Sequence, residues 1–166
     1  MRIVDPKVKN NLSKYVFQSL LATVAILLPL IFLDVLNETA IIASLGATAF
    51  IVFVRPQTKF SQPRRLFGGY FVGILVGCLL CFLSQCILFH TLLGQKWSLV
   101  IFGALAVGLS IFIMVTTDTE HAPAAGIALG LVINDWDYLT LFFIVSSVIL
   151  FSLVKRLLIS RMIDLI

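Results

Sequence analysis

Twenty charged residues are spread unevenly along the chain and leave six long uncharged runs, 15–33, 39–54, 66–95, 97–117, 122–134 and 138–154. They hold 19, 16, 30, 21, 13 and 17 residues. A helix needs roughly 20 apolar residues to cross about 30 Å of hydrocarbon. The first, third and fourth runs meet that length, and the sixth does so once Lys155 and Arg156 snorkel to the headgroups. The second run falls short. The fifth falls further short, since thirteen residues at about 1.5 Å each give roughly 20 Å of helix. The pattern therefore predicts an all-α polytopic membrane protein of six hydrophobic segments in one domain, 1–166.

Composition agrees and removes the competing classes. The chain is 60% hydrophobic and 12% charged, with a mean hydropathy of +1.10. Soluble domains run near 45–50% apolar and about 25% charged. A soluble enzyme, a disordered chain and a secreted disulfide scaffold all fit poorly. So does a nucleic-acid binder, despite a net charge of +4. No cleavable leader is expected, because the first apolar run is long, contains Pro29 and lacks a small-residue cleavage site before Asp34. Cys78, Cys81 and Cys86 all lie in the third run. Without a second ligand pair they read as packing residues, so neither metal nor cofactor is expected.

Charge placement decides whether the short runs cross. Cytoplasmic loops carry the excess of Lys and Arg. Six crossings put Arg2, Lys7, Lys9, Lys14, Arg55, Lys59, Arg64, Arg65, Lys155, Arg156 and Arg161 on one side and Lys96 alone on the other. If the short runs only dip in and return, the balance falls to eight against four. The expectation is six crossings in a cell membrane of the bacterial inner-membrane type, with both termini and the 55–65 loop cytoplasmic.

The lengths also suggest a repeat. The order is long, short, long, then long, short, medium. The two short runs share small residues, Ala43-Ser44-Leu45-Gly46-Ala47-Thr48-Ala49 and Ala122-Pro123-Ala124-Ala125-Gly126-Ile127-Ala128. Three crossings per unit would make the repeats inverted, as in many secondary transporters. The units would be about 14–93 and 97–156, each with a short or broken second segment. Gly69, Gly73 and Gly77, Gly126 and Gly130, and Ala104 and Gly108 recur every four residues. Such faces let helix backbones approach closely, within a bundle or in a homo-oligomer.

The chemistry concentrates at Thr116-Thr117-Asp118-Thr119-Glu120-His121, which runs directly into the fifth segment. Pro123 suits the first turn of a helix because its missing N–H has no partner there anyway. The amides of Ala124, Ala125 and Gly126 would then be free at a positive dipole end, a natural anion site. His121 would hydrogen-bond a small anion or carry a coupled proton, or else cap local carbonyls. Asp118 and Glu120 would repel an anion unless neutralised or turned away. Ser44, Gly46 and Thr48 are the matching candidates in the first unit, although both hydroxyls can back-bond to their own helix. Arg64 or Arg65 would line a vestibule for anions. His90, Trp97, Trp136 and Tyr138 read as interfacial anchors. Gln18, Gln85 and Asn134 read as partners in hydrogen bonds between helices. No nucleophile stands at catalytic spacing from His121 and Glu120, so no enzymatic activity is expected. The residues support a transporter or channel for a small anion. A membrane-embedded scaffolding module with no substrate is the alternative.

The chain resembles the HPP family of small integral membrane proteins from about residue 12 to 155. The resemblance rests on Ser44-Leu45-Gly46-Ala47-Thr48-Ala49, on Gln62-Pro63-Arg64 followed by Gly68-Gly69, and on a His-Pro-Pro element before an Ala/Gly-rich helix. Here that element reads His121-Ala122-Pro123, without the middle proline. The resemblance implies four transmembrane helices, fewer than the charge pattern does. Plastid and cyanobacterial relatives are associated with nitrite transport, so it also implies a small monovalent anion, nitrite first, as the substrate.

Overall fold

The computed structural model describes residues 7–33, 38–86, 91–92 and 94–165. Among them the regular structure is entirely helical. Six helices follow in order: α1 (Lys7–Phe32), α2 (Thr39–Val54), α3 (Pro63–Ser84), α4 (Gln95–Thr116), α5 (Ala122–Ile133) and α6 (Tyr138–Leu158). Two single 3₁₀ turns, Lys59–Ser61 and Ile159–Arg161, flank the ends of the bundle.

Local chemistry sets several boundaries. Pro63 and Pro123 sit in the first turns of α3 and α5, where a missing amide costs nothing. Gly94 precedes α4 at φ 75°, a backbone conformation that suits glycine. Asp137 caps α6 by accepting from the Thr140 amide at 2.8 Å, while the Thr140 hydroxyl accepts from the Asp137 amide.

Among the described residues four stretches are long and apolar enough to cross a membrane: Asn11–Ile31, Pro63–Ser84, Gln95–Thr116 and Tyr138–Arg161. Four is also the number the family resemblance implies. The other two helices, α2 and α5, have 16 and 12 residues, or roughly 24 and 18 Å of rise. They are the most enclosed elements. Ile41, Leu45, Val52, Phe53, Ile127 and Leu131 are fully buried. A helix that is apolar all round belongs in a core. The spanning windows of α1, α4 and α6 bury less than a third of their residues and leave apolar side chains outward, as a lipid-facing surface does.

Glycine brings α5 to its neighbours. A Cβ on Gly69 would strike His121, one on Gly73 the Ala124 carbonyl, and one on Gly77 Ala128 and Leu131. Numbers rise together along these pairs, so α3 and α5 are parallel. Against α2 the order is opposite: Thr48 meets His121, Ser44 meets Gly126, and Ile41 meets Gly130. Thus α2 and α5 are antiparallel and in contact. The glycine faces of α3 and α5 are consumed inside the chain. They serve the close packing within a bundle that their spacing allows, while Ala104 and Gly108 on α4 face outward.

Hydrogen bonds sort the helix ends into two groups. At one end lie the start of α1, the 55–62 loop, the 117–121 loop and the 159–165 tail. Tyr15 donates to the Leu165 carbonyl at 2.5 Å, the Gln57 amide to Asp164 at 2.9 Å, and Lys155 to the Ser61 carbonyl at 2.5 Å. At the other end Ser98 donates to the Ser84 carbonyl at 2.8 Å, and Thr140 donates to Glu38. Each of these six helices therefore reverses the direction of the one named before it. The short helices traverse the bundle rather than turning back, and the first turns of α1 meet the 159–165 tail on one face.

Gln18, fully buried, ties that face together. Its amide group donates to the Phe53 carbonyl at 2.5 Å and the Ile163 carbonyl at 2.9 Å, and accepts from the Ile163 amide at 3.1 Å. Its partners are a carbonyl left unpaired by the end of α2 and the backbone of the C-terminal tail, where the sequence suggested a bond between two helices.

Candidate functional site

His121 is the last residue before α5 and has an extended backbone, φ −143° and ψ 94°. It is 1% exposed. Its side chain does not cap the helix. The ring instead crosses to α2, where Nε2 lies 3.1 Å from the Thr48 hydroxyl. Thr48 also meets the Tyr70 hydroxyl of α3 at 2.7 Å. The Tyr70 ring tilts against the imidazole with centroids 5.5 Å apart. Gly69 makes this possible, since any side chain there would occupy the place of the His121 Cβ. Three elements thus converge on one imidazole.

The other ring nitrogen, Nδ1, is buried without a hydrogen-bond partner. Buried polar atoms are rarely left so. His121 also lines a cavity of about 300 Å³ together with Phe60, Arg55, Thr58, Glu120 and Ala122. Burial in the loop ahead of α5 pushes the imidazole down to about 4, against the smaller opposing pull of the Phe60 carbonyl. At neutral pH the ring is uncharged.

The acidic residues beside it are answered by one cation. Arg65 donates from Nη1 to Glu120 at 2.7 Å and from Nη2 to Asp118. Its side chain is 9% exposed, against 39% for Glu120 and 61% for Asp118. The Phe60 ring lies 5.8 Å from the guanidinium carbon. Of the two arginines the sequence offered, Arg65 is the buried one. Arg64 is exposed and reaches only the Thr117 carbonyl at 3.4 Å.

The expected amide cradle is closed, a correction to the sequence reading. The Ala124 amide donates to the His121 carbonyl at 2.9 Å. Pro123, Ala124 and Ala125 are buried, with the Ala124 carbonyl against Gly73 and Gly126 against the Ser44 hydroxyl. Ser44 donates to its own helix at Ala40, 2.8 Å away. A Cβ on Gly46 would meet nothing, so Gly46 lies off the crossing. Of the candidates in the first unit, Thr48 alone reaches His121. Trp136 is held inward, its indole donating to the Leu131 carbonyl at 2.7 Å, whereas Tyr138 and Trp97 are exposed as anchors would be. His90 lies outside the described residues. Among the described residues no group of His, Cys, Asp and Glu could hold a metal ion, and the three cysteines are free.

Tyr70 was not foreseen. Its one signal was its place next to Gly69, and the sequence does not say which face of α3 meets α5.

Comparison with known proteins agrees with the architecture. A transmembrane protein of Dictyostelium discoideum is 33% identical over 89 residues, which are 54% of this chain and 28% of that relative. The chain thus spans under a third of the length of the curated relative it matches. No solved structure matches the chain. The family model for the HPP transmembrane region matches residues 7–163. Matched over nearly its whole length, the chain belongs to the HPP transmembrane family.

Proposed function

We propose that this membrane protein transports a small monovalent inorganic anion, with nitrite the first candidate, through a site at His121. The observation that carries the reading is the buried His121 ring, held at Nε2 by Thr48 and unpartnered at Nδ1, beside a cavity of about 300 Å³. An unsatisfied polar atom in so enclosed a place is costly unless something visits it.

The charge pattern supports the direction of approach. Arg55, Lys59, Arg64, Arg65, Lys155, Arg156 and Arg161 belong to the loop-and-tail face described above. By the positive-inside rule that face is cytoplasmic, with both termini on it. A cationic rim raises the local concentration of anions. The mutual approach of α2 and α5 supports the inverted-repeat arrangement of transporters. The closed amides of α5 favour the alternative, a scaffolding module with no substrate.

Nitrite uptake by proteoliposomes decides between them. The transport reading expects uptake above that of empty liposomes and a marked loss in His121→Ala, with the variant still monodisperse in detergent. Uptake no faster than in empty liposomes would leave the scaffolding reading.

A further inference from the structure

Proton counting at Thr48 assigns the tautomer of His121. A threonine hydroxyl has one proton and two lone pairs. Thr48 has three neighbours: the Ser44 carbonyl at 3.0 Å, the Tyr70 hydroxyl at 2.7 Å and His121 Nε2 at 3.1 Å. The carbonyl can only accept, so it takes the Thr48 proton. Tyr70 and Nε2 must then both donate to the threonine oxygen. A neutral imidazole has one N–H. With that proton on Nε2, Nδ1 is a bare lone pair, which agrees with its lack of a partner.

A bare lone pair repels an anion. A second proton, on Nδ1, turns the ring into an imidazolium whose new N–H has no fixed partner apart from the nearby Phe60 carbonyl. The charges around the ring are otherwise balanced. Arg55 and Glu120 line the cavity, and Arg65 pairs with Asp118 and Glu120. Tyr70 is held as a neutral donor. Lys59, exposed, lies 5.1 Å from the Phe60 ring centroid, and Arg64 turns to Thr117. A proton on His121 therefore places a new positive charge on the cavity wall when an anion enters, while Glu120 is already engaged by Arg65.

We propose that the protein is a proton–anion symporter in which each monovalent anion is held in the cavity against a proton carried on His121 Nδ1. The inference rests on the reading of this cavity as an anion site. In the step, a proton from water forms the Nδ1–H bond and the anion settles against it with no covalent change. On release the anion leaves and the proton returns to water. The pair that crosses carries no net charge. Thr48 is the positioning residue, because it keeps the resting proton on Nε2.

The test uses the full chain in proteoliposomes with nitrite outside, a trapped pH dye, and a potassium–valinomycin clamp. Empty liposomes correct for leakage of the free acid. The wild type should acidify the lumen by about one proton per nitrite and ignore the imposed potential. Its uptake should rise several-fold as the outside pH falls from 7 to 5. His121→Gln, which can still donate to Thr48 but cannot bind a second proton, should lose both the acidification and the pH response. Thr48→Val removes the acceptor at Nε2 and lets the single proton occupy Nδ1. It should admit nitrite with less than one proton each and become sensitive to the potential. Should His121→Gln fail to fold, the Thr48→Val ratio still decides. Potential-driven nitrite entry without acidification in the wild type overturns the symport and leaves anion transport standing. Unchanged one-to-one coupling in Thr48→Val overturns the assigned tautomer. Wild-type uptake equal to that of empty liposomes overturns the anion site and the symport together.

Discussion

Thr48 and His121 stand 73 residues apart in sequence and meet at 3.1 Å, joining the antiparallel helices α2 and α5 at the level where α5 begins. The contact requires that both short helices pack in the centre of the bundle, and it gives a single imidazole one occupied and one vacant nitrogen. Stability and pH response follow from that relationship.

The imidazole of His121 sits near 4 in the folded chain and near 6.5 when unfolded. The unfolded state therefore binds the proton first, and stability is lost as pH falls between those values. The melting temperature in detergent should drop from pH 6.5 toward pH 4, and His121→Gln should flatten that slope. Saturating nitrite should oppose the drop by binding the protonated ring. A parallel acid slope in the wild type and the variant would remove His121 from this role.

The glycines are not equivalent. Gly73→Ala would drive a methyl into the Ala124 carbonyl, and backbone on both sides leaves no soft atom to move. It should cost about 1–3 kcal/mol as an overpacked contact. Gly46→Ala and Gly108→Ala meet open space and should be neutral or stabilising by up to about 1 kcal/mol, as alanine is the better helix former. Detergent melting curves of the three variants give the ranking. Equal effects would contradict the packing described for α3 and α5.

Arg65→Ala should destabilise clearly more than Arg64→Ala. Arg65 leaves two carboxylates without their partner, and hydrogen bonds to charged groups contribute about 1.5–3 kcal/mol. Arg64 makes one long, exposed bond, worth little. Because Asp118 and Glu120 are partly solvated, Arg65→Ala should fall at the lower end of that range. Melting at low and high salt checks it, the wild-type advantage shrinking only modestly as salt rises.

Gln18→Ala should release the C-terminal tail. It orphans the Phe53 and Ile163 carbonyls and the Ile163 amide, and unsatisfied buried groups cost about 1–3 kcal/mol each. Limited proteolysis should cut within 159–165 in this variant while sparing the wild type. A tail equally resistant in both would show that Met162 and Leu165, buried against the core, hold it unaided.

Single cysteines test the two faces, in a background lacking Cys78, Cys81 and Cys86. Gln62→Cys and Ser160→Cys should be labelled by an impermeant thiol reagent from one side of sealed vesicles, and Lys96→Cys from the other. All three positions are exposed. Labelling of positions 62 and 96 from the same side would refute the alternation of the six helices.

The membrane class, the six segments and the short second and fifth elements were legible in the one-dimensional pattern. Hydrophobic run length must match bilayer thickness, and charges must stop at its edges. The same constraint placed the 55–65 loop on the face where α1 begins and the 159–165 tail lies, and Pro123 marked the start of α5 because proline is tolerated where an amide has no partner. Which glycine faces meet which helix was not legible. Gly69 and Gly46 look alike in sequence, yet one receives His121 and the other faces open space. The spacing of small residues marks where backbones are able to approach, and the folded arrangement alone selects the partner. Tertiary packing likewise closed the amides of α5, chose Arg65 over Arg64, and brought Tyr70 and Thr48 to His121. The choice of Arg65 and the meeting of Tyr70, Thr48 and His121 depend on hydrogen-bond partners between 22 and 73 residues apart, and local sequence carries no record of such pairings.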